Sequence, residues 1–340
     1  MISKIIEIIQ DAKAGKPFIL MDDEGRENEG DVIIPAEFAT PEVINFMITH
    51  AKGLVCLALQ KKRIKELDLS LMSTNNQSRF ETAFTTSIEA KNGITTGISA
   101  FDRSHTILTA INSTKEDLVT PGHIFPLIAK DGGVLVRAGH TEASVDISIL
   151  AGLKPSAVIC EIINEDGTMA RMDDIVEFAK KHNLKIGLIK DLIEYRVQKE
   201  NIVQKISEKQ DDKFSNRKII TYMDTVANAI HYVIQFGNIN TEKSVNTKFH
   251  VMDYINDVHS SDNIRKTMEY LEQHTGVLVL IENKAHSKGK ESGVIRQHGI
   301  GVSIIKNLGI NKITILSKTK QNPVAISGFG VEISGFKSIE

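Results

Sequence analysis

Four segments of this chain carry side chains in combinations that can do chemistry. The first, Asp22-Asp23-Glu24-Gly25-Arg26-Glu27-Asn28-Glu29-Gly30-Asp31, packs six carboxylates into ten residues with a single arginine. Like charges that close oppose one another's ionisation, so the segment is either a solvated acidic loop or a place where a cation relieves the crowding. If the backbone is extended, Glu27, Glu29 and Asp31 share one face, although Gly25 and Gly30 permit bends that would change this. Hard oxygen ligands suit magnesium, which takes one or two carboxylates and keeps the rest of its shell for water and substrate. The second segment, Gly132-Gly133-Val134-Leu135-Val136-Arg137-Ala138-Gly139-His140-Thr141-Glu142-Ala143, reads as a strand, a glycine turn and a helix starting near Thr141. Free N–H groups at that turn and Arg137 would converge on an anion such as a phosphate, and His140 can ligate a metal through one ring nitrogen. The alternative makes Thr141 an N-cap and Arg137 a surface ion pair.

The third segment, Thr120-Pro121-Gly122-His123-Ile124-Phe125-Pro126, sets a histidine in a Pro/Gly turn before an apolar strand. Its intrinsic pKa suits proton transfer near neutrality, though a lone turn histidine can equally be structural. In the fourth, Val158-Ile159-Cys160-Glu161-Ile162-Ile163, one acid interrupts an apolar strand. Burying a carboxylate without a partner is costly, so Glu161 faces a metal, a cation or substrate, sits protonated, or pairs with a buried arginine.

The elements that must position these groups follow from periodicity. Apolar residues at 2, 5, 6, 8, 9 and 12 mark a helix closed by Gly15 and Pro17, and a short strand Phe18–Met21 follows. Strands are then expected at Asp31–Ile34, Leu54–Leu59, Thr82–Glu89, Phe125–Ala129, Val134–Val136, Ala157–Ile163 and Lys185–Leu188. Helices are expected at Pro41–Ala51, Arg103–Asn112, Thr141–Ala151, Asp173–His182 and Asp191–Lys199. This order predicts an α+β fold, a layered α/β sandwich over residues 1–200. Residues 201–218 are polar and charged, as in a linker, and a smaller α/β domain spans residues 219–340, with strands Val277–Ile281 and Ile313–Leu316 around a helical Val302–Leu308.

Length and composition bound the function. A chain of 340 residues fits two domains, and a formal net charge of −2 gives no global attraction to nucleic acid or an anionic membrane. No stretch approaches a spanning helix and Glu7 and Asp11 interrupt the N-terminal apolar run, so the cytoplasm is the expected location. Cys56 and Cys160, both in apolar runs, build neither a disulfide framework nor a four-cysteine zinc site.

Taken together, the four segments resemble the 3,4-dihydroxy-2-butanone 4-phosphate synthase family of riboflavin biosynthesis. The likeness covers roughly residues 1–200 and includes Val55-Cys56-Leu57, Thr95-Thr96-Gly97-Ile98-Ser99-Ala100 with Asp102-Arg103, and Asp166-Gly167-Thr168-Met169-Ala170-Arg171. It implies an α+β sandwich that forms homodimers with the site near the subunit interface. The implied reaction takes ribulose 5-phosphate to 3,4-dihydroxy-2-butanone 4-phosphate and formate with magnesium, manganese being an alternative. Carried over residue by residue, the resemblance implies metal ligation by Glu27 and His140. Substrate contacts fall on Arg26, Glu27, Asp31, Arg137, Ala138, Gly139, His140, Thr141 and Glu161, and proton transfer on His123 and Glu161. Cys56 and the Ile94–Gly97 loop fall in segments that line the family's site.

The second half resembles a worn GTP cyclohydrolase II domain, through Ser292-Gly293-Val294-Ile295-Arg296-Gln297-His298-Gly299-Ile300-Gly301 and Gly328-Phe329-Gly330-Val331-Glu332-Ile333. That enzyme needs a three-cysteine zinc site, this half has no cysteine, and Glu282 to Lys288 stand where its arginine-rich segment belongs. His250, His259 and His274 match no zinc spacing. No GTP ring opening is expected, and the domain serves either assembly or nucleotide binding through Ser287-Lys288-Gly289-Lys290. A wholly non-catalytic chain is the remaining reading, and the four intact segments argue against it.

Overall fold

In a computed structural model of the protein, residues 2–77, 79–80, 82–253, 257, 259, 262–282, 290–317 and 331–339 are described. The chain divides into two compact units, Met1–Leu192 and a second that begins at Ile193.

The first unit is built on a mixed seven-stranded sheet ordered β4-β5-β3-β6-β2-β1-β7. Its strands are β1 Phe18–Met21, β2 Gly30–Pro35, β3 Cys56–Gln60, β4 Ile88–Ala90, β5 Leu118–Ala129, β6 Ser156–Glu161 and β7 Ile186–Leu188. Strands β1, β2 and β3 are buried along both faces, and mostly apolar, because both faces are covered. Helices α2 (Pro41–Phe46), α4 (Ala100–Asn112) and α6 (Met172–His182) send Ile44, Ile107, Ile111 and Ile175 into one core with Ile19, Val32, Leu57 and Val158. On the other face lies α5 (His140–Leu150), packed against β6, β3, β2 and α1 (Ile5–Lys13). Its buried serines are hydrogen-bonded: Ser144 Oγ donates to the Thr141 carbonyl, and Ser148 Oγ to those of Ser144 and Ser156. The helix is buried from His140 through Ser148, which fixes where its N-terminus stands. The layered α+β architecture expected from the sequence is what forms.

Several local expectations change. Of Thr82–Glu89, only Ile88 and Glu89 join a strand, β4, with Phe84 and Thr85 in isolated bridges. Val134–Val136 is no strand: Gly133–Leu135 is a 3-10 turn, since Gly132 (φ 92°) and Gly133 (φ 61°) break extension and Asp146 accepts the Val134 N–H at 2.8 Å. The Pro121-Gly122-His123 turn lies instead within β5, which pairs with β4 on one side and β3 on the other. Gly122 is required there, since a Cβ would overlap the Ile88 carbonyl.

The second unit carries a seven-stranded sheet ordered β14-β13-β11-β12-β10-β9-β8. It comprises β8 Val203–Gln210, β9 Arg217–Asp224, β10 Ala229–Phe236, β11 Val245–Met252, β12 Gly276–Glu282, β13 Lys312–Leu316 and β14 Glu332–Lys337. The expected linker at 201–218 therefore contains β8, paired antiparallel with β9. Its polarity is that of an edge strand: only Val203 is buried, and lysines along an open edge discourage pairing with other chains. Helix α3 (Lys61–Glu66) follows β3 in the first unit, α7 (Ile189–Lys199) precedes β8, and α8 (Asp262–His274) and α9 (Lys290–Asn307) complete the described α-helices. Most of Ser287-Lys288-Gly289-Lys290, the Asn283–Lys288 stretch and Gly328-Phe329-Gly330 lie outside the described residues.

Candidate metal and substrate site

Asp22 directly follows β1 and organises the acidic loop around itself. Its Oδ1 accepts the Glu29 N–H at 2.9 Å, and its Oδ2 accepts the Glu27 N–H at 3.2 Å and Arg26 Nη1 at 2.7 Å. The same Arg26 nitrogen donates to Glu27 at 2.6 Å, and the guanidinium lies over the Phe80 ring at 5.0 Å. Burial opposes the Arg26 charge, but Glu27 and Asp22 more than compensate and hold its pKa above the usual value. Asn28 takes a left-handed conformation, φ 55°, and Arg171 donates to the carbonyls of Glu27 and Asn28. The loop is thus a closed turn, and the alternation expected for Glu27, Glu29 and Asp31 along an extended chain does not hold.

The closed turn carries Glu27 toward Asp31 of β2 and His140, the first residue of α5. His140 Nδ1 is 3.9 Å from a Glu27 oxygen and 3.8 Å from Asp31 Oδ1. The other ring nitrogen, Nε2, sits 3.2 Å from the Leu20 carbonyl, which only accepts, so Nε2 carries the proton and the Nδ1 lone pair faces the carboxylates. This is the second-sphere arrangement of a metal-binding histidine. Ligand atoms of Asp22, Glu27 and His140 all lie within 4.8 Å of one another. Asp31 is 2% exposed and its Oδ1 has no hydrogen-bond partner among the described residues. An orphaned buried carboxylate oxygen beside an imidazole lone pair and a second carboxylate fits a hard divalent cation.

Glu161 closes β6 directly opposite Asp31 in the antiparallel register. Its carboxylate accepts the Leu54 N–H at 2.9 Å, and no ion pair to an arginine is formed among the described residues. The chain can pass this close only at a glycine, since a Cβ on Gly53 would stand 2.5 Å from Glu161 Oε2. Burial raises the pKa of Glu161, against the pull of the Leu54 hydrogen bond. Burial also raises Asp31, helped by Glu161 and Glu27, and raises Glu29, helped by Glu27. Cys56 and Cys160 are buried thiols whose pKa values are raised first by burial and then by Glu161.

Arg137 does not wait free for an anion. It donates to Glu142 at 2.6 Å, to the Phe80 carbonyl at 3.1 Å and to Thr82 Oγ1 at 3.1 Å. Gly139, rather than Thr141, is the N-cap of α5, which leaves the first-turn N–H groups near His140 and Thr141 without intrahelical partners. Ala138 and Gly139 form the approach to that end, and Arg26 lies close enough that a Cβ at Gly139 would stand 3.0 Å from its Nη2.

His123 belongs to a second cluster. On β5 it lies level with Glu161 but two strands away, about 10 Å at ordinary strand spacing. Its Nδ1 is 2.6 Å from Oε2 of Glu89 on β4. The fold therefore gathers Arg26, Glu27, Asp31, His140 and Glu161 and holds His123 apart from them. Asp22, Glu89 and Arg171 were not singled out by sequence reasoning. Asp22 was visible as part of the acidic run, and Glu89 gave the same signal as Glu161, an acid beside apolar strand residues.

An α+β sandwich with a buried acidic centre and an imidazole presented to it defines a protein able to hold a divalent cation beside proton-carrying carboxyls. The sequence profile of 3,4-dihydroxy-2-butanone 4-phosphate synthase matches residues 6–195, and that of GTP cyclohydrolase II matches residues 282–338. A 3,4-dihydroxy-2-butanone 4-phosphate synthase of Photobacterium phosphoreum is 46% identical, over 96% of this chain and 96% of its own. One from Neisseria meningitidis serogroup B is 43% identical over 100% and 99%. Among solved structures, RibBX of A. baumannii, a two-domain 3,4-dihydroxy-2-butanone 4-phosphate synthase, superposes with a TM-score of 0.87 at 41% identity, covering 98% of this chain and 99% of that one. A 3,4-dihydroxy-2-butanone 4-phosphate synthase in complex with two magnesium ions is 39% identical with a TM-score of 0.56, covering 58% of this chain and 98% of its own. The chain belongs to the 3,4-dihydroxy-2-butanone 4-phosphate synthase family, in its two-domain form, and so has a role in riboflavin biosynthesis. Among the described residues no helix is long and apolar enough to cross a membrane.

Proposed function

We propose that the chain converts ribulose 5-phosphate to 3,4-dihydroxy-2-butanone 4-phosphate and formate, with magnesium, or manganese in its stead, held by Glu27 and His140. The observation that carries this reading is the grouping of ligand atoms of Asp22, Glu27 and His140 within 4.8 Å of one another, with Asp31 Oδ1 3.8 Å from His140 Nδ1, buried and without a hydrogen-bond partner among the described residues. A divalent ion bound there supplies positive charge to substrate oxygens and so eases loss of a proton from the neighbouring carbon. Arg26, fixed by Asp22 and Glu27, lines the same space and orients the sugar hydroxyls. The first-turn N–H groups at His140 and Thr141, with Ala138 and Gly139 leading to them, receive the phosphate. Arg137 contributes by holding Glu142 and the Phe80–Thr82 segment in place. Glu161, its pKa raised by burial, is proposed as one proton carrier and His123 as the second.

His123 pairs with Glu89 in a cluster separate from that of Glu27 and His140, and we propose a homodimer in which the two clusters of one site come from different copies. Exposed Phe101, Ile98 and Val119 in the His123 neighbourhood support the same reading, Val119 pairing with Glu89 in the sheet. The second unit is proposed to lack GTP ring-opening activity because residues 201–340 contain no cysteine. The reaction is proposed to run in the cytoplasm. The test is formate release from ribulose 5-phosphate by the purified chain, with magnesium and then with EDTA. Metal-dependent formate supports the proposal, and folded, dimeric protein that releases none with any divalent ion refutes it.

A further inference from the structure

Glu89 and His123 form a pair whose construction goes beyond a surface ion pair. Glu89 is 7% exposed, and its carboxylate meets His123 Nδ1 at 2.6 Å through Oε2. A carboxylate only accepts, so this contact places the ring proton on Nδ1. The ring itself is 43% exposed, which leaves Nε2 as the nitrogen available to solvent or substrate.

Three features of the backbone hold the carboxylate where it is. Gly97, at φ 89°, passes so close that any Cβ would overlap the Glu89 carboxylate. The loop containing Gly97 is clipped by Asp102, which accepts from Thr95 N at 3.1 Å, Thr95 Oγ1 at 2.7 Å and Gly97 N at 3.0 Å. Beside His123, Gly122 presses on the Ile88 carbonyl and donates its N–H to Ser87 Oγ at 3.1 Å. Both partners are therefore fixed through their own strands, β4 and β5, and through a loop with no other evident reason to approach so closely.

We propose that Glu89 is a positioning residue that holds His123 in the Nδ1–H tautomer, so that Nε2 is the atom that exchanges protons with substrate. This rests on the proton-transfer role proposed for His123, and it adds the residue that sets which nitrogen acts. The same logic orients catalytic and metal-binding imidazoles generally: the hydrogen bond at one nitrogen selects the chemistry at the other.

The test uses the full chain with 15N-labelled histidine, its His123 resonances assigned by comparison with His123→Ala, alongside steady-state formate release. The expected result is an Nδ1–H tautomer for His123 in the wild-type protein and its partial loss in Glu89→Gln, an isosteric change. With that loss kcat should fall about 100-fold, the low end of what a positioned acid or base supplies, and KM should stay within about threefold. Glu89→Asp, which keeps the charge on a shorter arm, should recover part of both signals. An Nε2–H tautomer in the wild-type protein overturns the proposal whatever the variants do, as does Glu89→Gln with unchanged kcat. If the wild-type chain releases no formate but the Nδ1–H tautomer is present and lost in Glu89→Gln, the positioning stands and the assigned reaction fails.

Discussion

Replacing Asp22 by Asn exchanges one carboxylate oxygen for an NH2 group at a point where both oxygens already accept hydrogen bonds. With the amide turned one way the new NH2 opposes the Glu29 N–H, and turned the other way it opposes Arg26 and the Glu27 N–H. One side of the loop must therefore detach. A hydrogen bond to a charged group contributes about 1.5–3 kcal/mol, and Glu27 still holds Arg26, so the metal-free protein should lose about 2 kcal/mol of stability. The larger consequence concerns Glu27, which reaches His140 only because the turn is closed. Loss of supporting hydrogen bonds around metal ligands typically weakens affinity 10- to 100-fold, about 1.4–2.8 kcal/mol. Calorimetric titration of magnesium or manganese into wild type and Asp22→Asn, with urea unfolding in EDTA, measures both quantities. An unchanged metal affinity together with unfolding within about 0.5 kcal/mol of wild type would refute the idea that Asp22 organises the site.

Further expectations follow from other contacts. Glu161→Gln should leave urea unfolding close to wild type and abolish formate release, because the amide keeps the Leu54 hydrogen bond but carries no transferable proton; near-normal turnover would remove Glu161 from the proton path. Gly53→Ala should cost both activity and stability, since its Cβ would stand 2.5 Å from Glu161 Oε2, and wild-type behaviour would show that the strands can part there without penalty. In the second unit, burial would raise Asp224, yet its pKa is held at about 2: His231 at 3.7 Å is too far for a full hydrogen bond, so Arg296 at 2.5 Å and the amides of Val226 and Ala227 carry the effect. A depressed pKa gives stability that is present above the unfolded value near 3.8 and lost as pH falls through about 2, an increment of about 2 kcal/mol. Urea unfolding of wild type and Asp224→Asn between pH 5 and 2 should show that slope only in wild type, and parallel curves would count against it.

The chemistry of this protein was legible because it lies in short contiguous runs. Acid crowding at 22–31, a histidine at a helix start and an acid in an apolar strand are local facts, and the strand Phe18–Met21 emerges with the bounds its apolar run predicts. Tertiary structure decided what local pattern leaves open. The acidic run could have been extended; Asp22 hydrogen bonds and a left-handed Asn28 close it, and only then do Asp22, Glu27 and His140 meet. The polar stretch at 201–218 reads as a linker until β9 pairs with it, because an edge strand lacks the apolar alternation that betrays buried ones. Glu89 and His123 are 34 residues apart in the chain, and their encounter depends on β4 and β5 being neighbours in the sheet. Residue type and short-range spacing determine which chemistry is possible, whereas strand pairing and helix burial, set by long-range packing, determine which groups share a site.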